Sequence, residues 1–224
     1  MAKESVQNRR VRRRDQITEV ATKLFADKGY HRATLEEVAR QLDVTRASLY
    51  YHIENKEQLL RDICNKVMRD ALEDSRGILE SDLSPKEKLQ EYIRSKVVTS
   101  ADRRDLCIVI FEQANALNTR TRKKLQRQMS EFDQILIDIL QEGVDEGVFQ
   151  IDDIRMASFV ILGACFWTYH WYHPEGRLTP NEIADEVINL LERGYLKAPS
   201  VTRETREEVD NVKPAKTRIG FTYP

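Results

Sequence analysis

Six side chains that could bond nucleic acid lie between residues 45 and 52. They are Thr45, Arg46, Ser48, Tyr50, Tyr51 and His52. Hydroxyl, guanidinium and imidazole groups can form hydrogen bonds with base edges in a major groove and with backbone phosphates. Leu49 and Ile53 are four residues apart, so on a helix they would point away from these polar groups. The segment therefore indicates a short amphipathic helix whose polar side could enter a DNA groove.

A second short helix is predicted immediately before this one. Thr34 and Glu37 have the spacing of a capping box, which marks a helix start. Apolar residues then recur at helical spacing on one face: Leu35, Val38, Ala39 and Leu42. Asp43 and Val44 interrupt the pattern, and Asp tolerates a left-handed turn better than most residues. The pattern predicts helix, turn and helix, and periodicity alone is equally compatible with an ordinary helical hairpin that has a solvated face.

Residues 13 to 60 resemble the DNA-binding domain of the TetR (tetracycline-repressor) family. The matching pieces are ITEVATKLFADKG from residue 17, Thr34–Leu42, and LYYHIENKEQLL from residue 49. Asp43 stands where glycine is common in the family, and Ile53 stands where phenylalanine is common. The resemblance implies an all-α fold, with an N-terminal three-helix helix-turn-helix domain and a larger helical domain for ligand binding and dimerisation.

The same resemblance implies which residues contact operator DNA. Those expected to touch phosphates are Thr34, Tyr51, His52 and Lys56. Those expected to face base edges are Thr45, Arg46 and Ser48, while Tyr50 could contact either. Family members of this kind are dimers, so two such domains would engage two half-sites of a near-palindrome. The last two helices of the larger domain are predicted to carry the apolar surface that joins the two copies.

The composition agrees with this architecture. The chain has 224 residues, 41% hydrophobic, with eight Gly and six Pro, which suits a helical protein with a real core. Because the formal net charge is −1, affinity for DNA must come from local patches such as the arginines of residues 9–14. We predict a disordered basic arm (1–12), a DNA-binding domain (13–55), a ligand-binding and dimerisation domain (56–198) and a flexible tail (199–224).

Catalytic and metal-binding patterns are absent from the sequence. It contains no nucleophile elbow, P-loop, dinucleotide-binding glycine motif or His/Cys metal spacing. Cys64, Cys107 and Cys165 are widely separated and are expected to be buried, reduced thiols. The apolar run 156–172 is at the lower edge of membrane-spanning length, and we predict a buried or interface helix. These observations predict a cytoplasmic protein that is not an enzyme, with no metal, cofactor or membrane partner.

Residues 166–191 (FWTYHWYHPEGRLTPNEIADEVINLL) resemble the W-Y-x-P-x-G-x-L-[ST] ending of TetR members that sense acyl-CoA thioesters. Such an effector needs an apolar slot and cations for its phosphates. The predicted slot residues are Phe111, Phe132, Leu136, Phe159, Leu162, Gly163, Phe166 and Trp167. The predicted cations are Arg103 and Arg104, together with Arg122 and its basic neighbours Arg120, Lys123, Lys124 and Arg127. The alternatives are a hydrophobic effector or drug without CoA, and a helical partner-binding module without DNA function.

Overall fold

The computed structural model describes the backbone of residues 6–195 and the side chains of residues 11–192. Within this part of the chain every regular element is helical, which confirms the predicted all-α fold. The first three helices are α1 (Val6–Lys28), α2 (Leu35–Gln41) and α3 (Arg46–Tyr50). The helices that follow are α4 (Lys56–Leu79), α5 (Pro85–Asp102), α6 (Arg104–Ile108), α7 (Thr119–Asp145), α8 (Ile154–Phe166), α9 (Thr168–Trp171) and α10 (Pro180–Tyr195).

Side-chain caps mark the predicted helix starts. Thr34 Oγ1 accepts a hydrogen bond from the Glu37 amide at 3.2 Å, and the Glu37 carboxylate accepts one from the Thr34 amide at 3.0 Å. This is the predicted capping box. The side chains of Thr45, Asn55, Ser84 and Asp153 each accept a hydrogen bond from the backbone amide three residues on. These short polar residues satisfy amides that have no partner within their own helix.

Two segments that the sequence predicts to be irregular are largely helical. Residues 6–12 form the first turns of α1 rather than a disordered arm, because no Gly or Pro interrupts the sequence there and the packed helix can extend towards the N-terminus. The charged residues of the stretch 101–106 also indicate a link between helices, but this stretch contains the end of α5 and the start of α6. Predictions for residues 1–5 and 196–224 lie outside the described residues, and the proposed domain boundaries remain predictions.

One continuous apolar core runs through the described helices, from Ile17 in α1 to Ile188 in α10. In the body, which is the larger helical part formed by α4 to α10, α4 packs on α7, and α5 packs on α7, α8 and α10. Helix α1 packs on α2 and α4 and also on α6, so it joins the first three helices to the body. The predicted DNA-binding unit, α1 to α3, and the body therefore share packed surfaces in addition to the covalent connection through α4.

An irregular segment follows α6 and lies at this junction. Residues Val109–Gln113 form one π-helical turn, and Ala114–Ala116 form a 3₁₀ turn before α7 begins. The apolar sequence LCIVIFEQANA of residues 106–116 predicts a buried segment, and Val109 and Ile110 are buried. The apolar pattern did not predict the widened turn. Such π-turns are rare and are often found at functional sites.

Candidate DNA-binding surface and effector cavity

Helix α3 is a five-residue helix that its surroundings hold in place. A helix this short is unstable by itself, because nucleation costs more than so few hydrogen bonds return. Leu49 and Ile53 point into the core of the unit, with exposed fractions of 0% and 2%. Asp43 has φ = 52° in the preceding turn, as its tolerance of a left-handed backbone predicted. The turn and the two buried side chains therefore determine which face of α3 reaches solvent.

The predicted polar groups lie together on the exposed face of α3. Thr45, Arg46, Ser48, Tyr50 and Tyr51 are exposed, whereas His52 is half-buried. Arg46 Nη1 pairs with Glu36 Oε1 at 2.8 Å, and the guanidinium lies 5.4 Å from the centre of the Tyr50 ring. This pair is solvent-exposed, so the guanidinium can exchange Glu36 for a guanine edge at small cost. The structure places these residues on one surface, and their individual DNA contacts remain predictions.

Two residues predicted to contact phosphates, Thr34 and Lys56, form contacts within the protein. The exposed Thr34 caps α2 through the capping box with Glu37. Lys56 Nζ lies 4.3 Å from the centre of the Tyr30 ring and donates a hydrogen bond to the His31 carbonyl at 3.3 Å. Burial lowers the pKa of Lys56, against the opposing charge of Glu37. Lys56 must therefore leave Tyr30 before its ammonium can reach a phosphate.

We expect Arg46→Ala to cost about 1–3 kcal/mol of binding free energy on the cognate duplex, because one base pair loses its hydrogen-bonding partner. The cognate duplex can be selected from random DNA with the intact protein, and affinities measured by fluorescence anisotropy. Arg40→Ala, an exposed arginine on α2, is the matched control and should weaken all duplexes alike or none. Equal losses for Arg46→Ala on cognate and scrambled duplexes would rule out base reading.

A cavity of about 1030 Å³ lies among α1, α4, α5, α6, α7 and α8. Its apolar wall includes Phe111, Phe132, Leu162 and Phe166, as predicted. Arg103 and Arg104, also predicted, lie on its wall at the start of α6. Arg122 instead lines a smaller cavity of about 270 Å³, to which Phe111 also contributes a wall. The structure thus brings six of the fifteen predicted ligand residues to the large cavity and a seventh to its neighbour.

The other eight line neither cavity, and their contacts with a ligand remain predictions. Four are basic residues of α7 (Arg120, Lys123, Lys124 and Arg127), and the other four are Leu136, Phe159, Gly163 and Trp167. Leu136 is fully buried on α7, one turn beyond Phe132 and therefore past the end of the cavity. Phe159, Gly163 and Trp167 follow one another at four-residue intervals along the outer face of α8 and its end, and all three are exposed. Leu162 and Phe166 lie on the adjacent side of the helix, which faces inward. Because α8 is apolar on both faces, its sequence pattern could not distinguish the residues that face the cavity from those that face outward.

Among the charged residues of the cavity wall that sequence reasoning missed are Asp74, Lys96 and Asp133. Lys96 is only 3% exposed, and its Nζ lies 2.6 Å from Asp74 Oδ2. A signal was present, because Lys96 interrupts the apolar stripe of α5 between Ile93 and Val97. A lysine within a buried stripe is almost always paired, and its partner identifies a polar site.

Three hydrogen bonds join the segment between α6 and α7 to Tyr30 and Glu57, which precede and follow α3 in the sequence. The Tyr30 amide donates to Gln113 Oε1 at 2.8 Å, and Gln113 lies on the π-turn that also carries Phe111. Asn118, which caps α7, donates from its backbone amide to Glu57 Oε1 at 3.3 Å, and its side-chain amide donates to the same oxygen. The π-turn itself bonds Tyr30, before α2, while the start of α7 bonds Glu57, after α3.

No three His, Cys, Asp or Glu side chains within the described part of the chain converge as a metal site requires. All three cysteines are buried, as predicted. Burial raises the pKa of Cys64 and Cys165 to about 12, so their thiols remain protonated and are poor nucleophiles. None of the described helices combines the length and apolarity needed to cross a bilayer.

Two family models match the chain. Residues 17–63 match bacterial regulatory proteins of the tetR family, and residues 82–195 match the tetracyclin repressor-like C-terminal domain. The transcriptional repressor KstR2 of Mycolicibacterium smegmatis is 29% identical over 198 residues, covering 83% of this chain and 92% of that protein. The fatty acid metabolism regulator protein of Bacillus subtilis is 26% identical over 181 residues, covering 80% and 93%.

Solved structures give the same assignment. A TetR/AcrR-family regulator from Thermobifida fusca is 32% identical, with a TM-score of 0.67, covering 83% of this chain and all of that one. AibR, crystallised with isovaleryl coenzyme A and operator DNA, is 29% identical, with a TM-score of 0.73, covering 80% and 97%. These relatives are regulators, which sets aside the enzyme and the partner-binding module as alternatives. The protein belongs to the tetR family of DNA-binding transcriptional regulators.

Proposed function

We propose that the protein is a cytoplasmic, dimeric repressor that leaves its operator when an acyl-CoA thioester occupies the large cavity. The observation that carries this proposal is the cavity itself, which has about 1030 Å³ and an apolar wall with two arginines on it. That volume is at the upper end of the range for small-molecule sites. The relation to AibR supports a thioester, because that regulator was crystallised with both isovaleryl coenzyme A and operator DNA.

The arrangement of charges supports one orientation of the effector. Arg14 of α1 pairs with Asp62 of α4 at 2.6 Å, so the adjacent Ile63 marks the end of the cavity nearest α1. Arg103 makes no hydrogen bond or ion pair to any described side chain, and Arg104 uses Nε to bond the Tyr169 carbonyl at 3.0 Å. Both guanidinium groups retain donors for phosphate oxygens. The acyl group would then extend from α6 along α4, away from the DNA-binding unit.

The π-turn offers a route from the effector to DNA. Phe111 lies on the cavity wall, stacked on Tyr169 with ring centres 5.9 Å apart. An acyl group that displaces Phe111 would move Gln113 and, through it, Tyr30. Tyr30 in turn supports Lys56 at the start of α4. A change of tilt in α4 would alter the separation of the two α3 helices in a dimer, provided that the effector binds the altered state more tightly.

The exposed apolar face of the last helices supports the dimer. Its members on α8, α9 and α10 are Met156, Phe159, Val160, Trp167, Trp171 and Leu190. Several large apolar side chains exposed on neighbouring helices suggest an interaction surface. A second copy placed on a two-fold axis would bury the same residues from both partners in a four-helix interface. It would also present two α3 helices about one DNA turn apart.

We expect saturating decanoyl-CoA to weaken operator binding by at least about tenfold, within the usual range of coupling between ligand sites. Decanoic acid and free CoA should have little effect, because the acid lacks the phosphates that the arginines would bind and free CoA lacks the acyl group that the apolar wall would bind. Anisotropy of labelled operator measures the release, and calorimetry measures effector binding directly. Operator affinity that is unchanged by decanoyl-CoA, despite measurable binding in the cavity, would overturn the release mechanism.

A charge reversal identifies the phosphate site. Arg103→Glu should weaken decanoyl-CoA binding by about tenfold or more, the scale of a lost charge-assisted hydrogen bond. Lys124→Glu, on the exposed basic face of α7, is the matched control and should leave the affinity unchanged. The reverse outcome would place the phosphates on α7 beside the smaller cavity.

A hydrophobic effector without CoA is the second candidate, and the charge of the wall favours it. Apart from Asp74, Lys96 and Asp133, the wall carries five carboxylates against four cations: Asp15, Glu19, Asp70, Asp102 and Asp105 against Lys23, Lys66, Arg103 and Arg104. This surplus of acid is unfavourable for a polyanionic headgroup and favourable for a neutral or cationic compound. Release of operator by a neutral compound such as decan-2-one, without release by decanoyl-CoA, would support this candidate.

A further inference from the structure

The far end of the large cavity is polar, although most of its wall is apolar. Asp74 lies on α4 about 16 Å beyond Ile63, at about 1.5 Å of helical rise per residue. There it meets Lys96 of α5, whose Nζ bonds Asp74 Oδ2 at 2.6 Å and Ser95 Oγ at 3.3 Å. All three residues line the cavity, together with Asp133 of α7. An effector that enters from the α6 end therefore ends against charged groups.

The pair of Lys96 and Asp74 is well satisfied. The Lys96 ammonium lies 5.0 Å from the centre of the Tyr92 ring and 5.5 Å from that of Phe132, which stabilise its charge from one side. Burial alone would raise the pKa of Asp74, but the hydrogen bonds from Lys96 and Ser95 outweigh burial and hold that pKa below its ordinary value. The two opposite charges balance, so this pair offers hydrogen bonds to a ligand without net charge.

Asp133 differs because its carboxyl has no such partner. It is half-buried and makes no hydrogen bond or ion pair with any described residue. Burial raises the pKa of this carboxyl, against the opposing charge of Arg155. A buried carboxyl without a partner is costly to the fold unless something else in the site bonds it. An apolar acyl chain at this position would remove water from Asp133 and Lys96 and replace none of the lost hydrogen bonds.

We propose that the effector's acyl group carries an uncharged oxygen substituent, a carbonyl or a hydroxyl, at the end remote from CoA, and that Asp133 and Lys96 bind it. This inference rests on the proposed function and adds the chemical class of the acyl group. A hydroxyl can donate to and accept from the two side chains, and a carbonyl can accept from Lys96. A terminal carboxylate is excluded, because Asp74 already neutralises Lys96 and Asp133 adds an acidic group beside it.

Three matched thioesters test the proposal: decanoyl-CoA, 9-oxodecanoyl-CoA and the CoA monothioester of decanedioic acid. We expect the oxo compound to bind the intact protein about tenfold or more tightly than decanoyl-CoA, and the dicarboxylic compound to bind most weakly. Calorimetry and operator release should give the same order. Equal affinity for decanoyl-CoA and 9-oxodecanoyl-CoA would overturn this inference alone. If none of the thioesters binds, both the inference and the proposed function fail.

Substitutions at Asp133 test whether this residue causes the preference for 9-oxodecanoyl-CoA over decanoyl-CoA. Asp133→Leu should remove the advantage of the oxo compound and strengthen decanoyl-CoA binding, whereas Asp133→Asn should retain much of the advantage, since the amide still forms hydrogen bonds. Asp138→Leu, an exposed aspartate on the same helix, is the control and should change neither affinity. An oxo preference that persists in Asp133→Leu would show that the oxygen binds elsewhere and would overturn the assignment to Asp133.

Thermal melting without effector gives an independent readout. Because the folded pKa of Asp133 is raised, the folded protein binds this proton more tightly than the unfolded chain does, and ionisation destabilises the fold as the pH rises. Asp133→Leu should therefore melt at a higher temperature than the intact protein at pH 7. The gain should shrink as the pH falls towards the carboxyl's ordinary pKa of 3.8. A lower melting temperature at pH 7 would show that the ionised carboxyl has a stabilising partner and would overturn the proposal.

Discussion

A variant with both Phe159→Glu and Leu190→Glu should be a monomer of 26.2 kDa in solution. Its operator affinity should fall by about 100-fold or more, because a second, linked DNA-binding unit normally increases the apparent affinity by that order without any new kind of contact. Phe159 and Leu190 are 48% and 74% exposed and lie on α8 and α10, the two helices proposed to form the dimer. Glutamates on this face would meet their own copies across the two-fold axis, and burying those like charges is strongly unfavourable.

Light scattering and anisotropy measure the two effects on the same samples. The control carries Leu83→Glu and Val148→Glu, which replace apolar residues that are 40% and 49% exposed in the links before α5 and after α7. It should keep both the mass and the affinity of the intact protein. If the first variant still sediments and scatters as a dimer, the α8 and α10 face is not the interface.

Replacing Leu49 with alanine should destabilise the DNA-binding unit by about 2–5 kcal/mol, the usual cost of truncating a fully buried leucine. Leu49 is 0% exposed and is the buried side chain within α3 itself. A five-residue helix has no independent stability, so loss of this anchor releases the whole polar face. Operator affinity should therefore fall on every duplex sequence, unlike the base-specific loss expected for Arg46→Ala.

Hydrogen exchange distinguishes the local effect from global unfolding. Amides of residues 45–53 should exchange faster in Leu49→Ala, while those of α5 and α7 in the body remain protected. Leu83→Ala, the same substitution at an exposed position, should cost less than about 0.5 kcal/mol in urea unfolding. Unchanged exchange at residues 45–53 would mean that the turn and cap hold α3 without Leu49.

Helix starts and the DNA-reading surface could be predicted because their signals are local. Thr34 and Glu37 are three residues apart, and a cap needs only that spacing and a helix after it. Likewise, Leu49 and Ile53 specify the buried side of α3, and the polar groups between them must then be exposed. The family resemblance covered the same segment, and the structure places the polar residues on one surface.

The cavity could be predicted only in part, for two physical reasons. Helix α8 is apolar all round, so its sequence did not show that Leu162 faces the cavity while Phe159 faces outward. In addition, Asp74, Lys96 and Asp133 come from three different helices and meet at one end of the cavity. No sequence spacing brings these three helices together, so their meeting depends on how the body packs.

By itself, the sequence determined the helical class, the caps, the left-handed turn at Asp43 and the polar face of α3, because each depends on neighbours within a few residues. Only the tertiary structure decided the shape and polarity of the cavity and the bond from Tyr30 to Gln113, which joins residues 83 positions apart. It also decided that Lys56 rests on Tyr30. The physical reason is that these contacts depend on the relative placement of packed helices, which dozens of weak side-chain contacts set collectively.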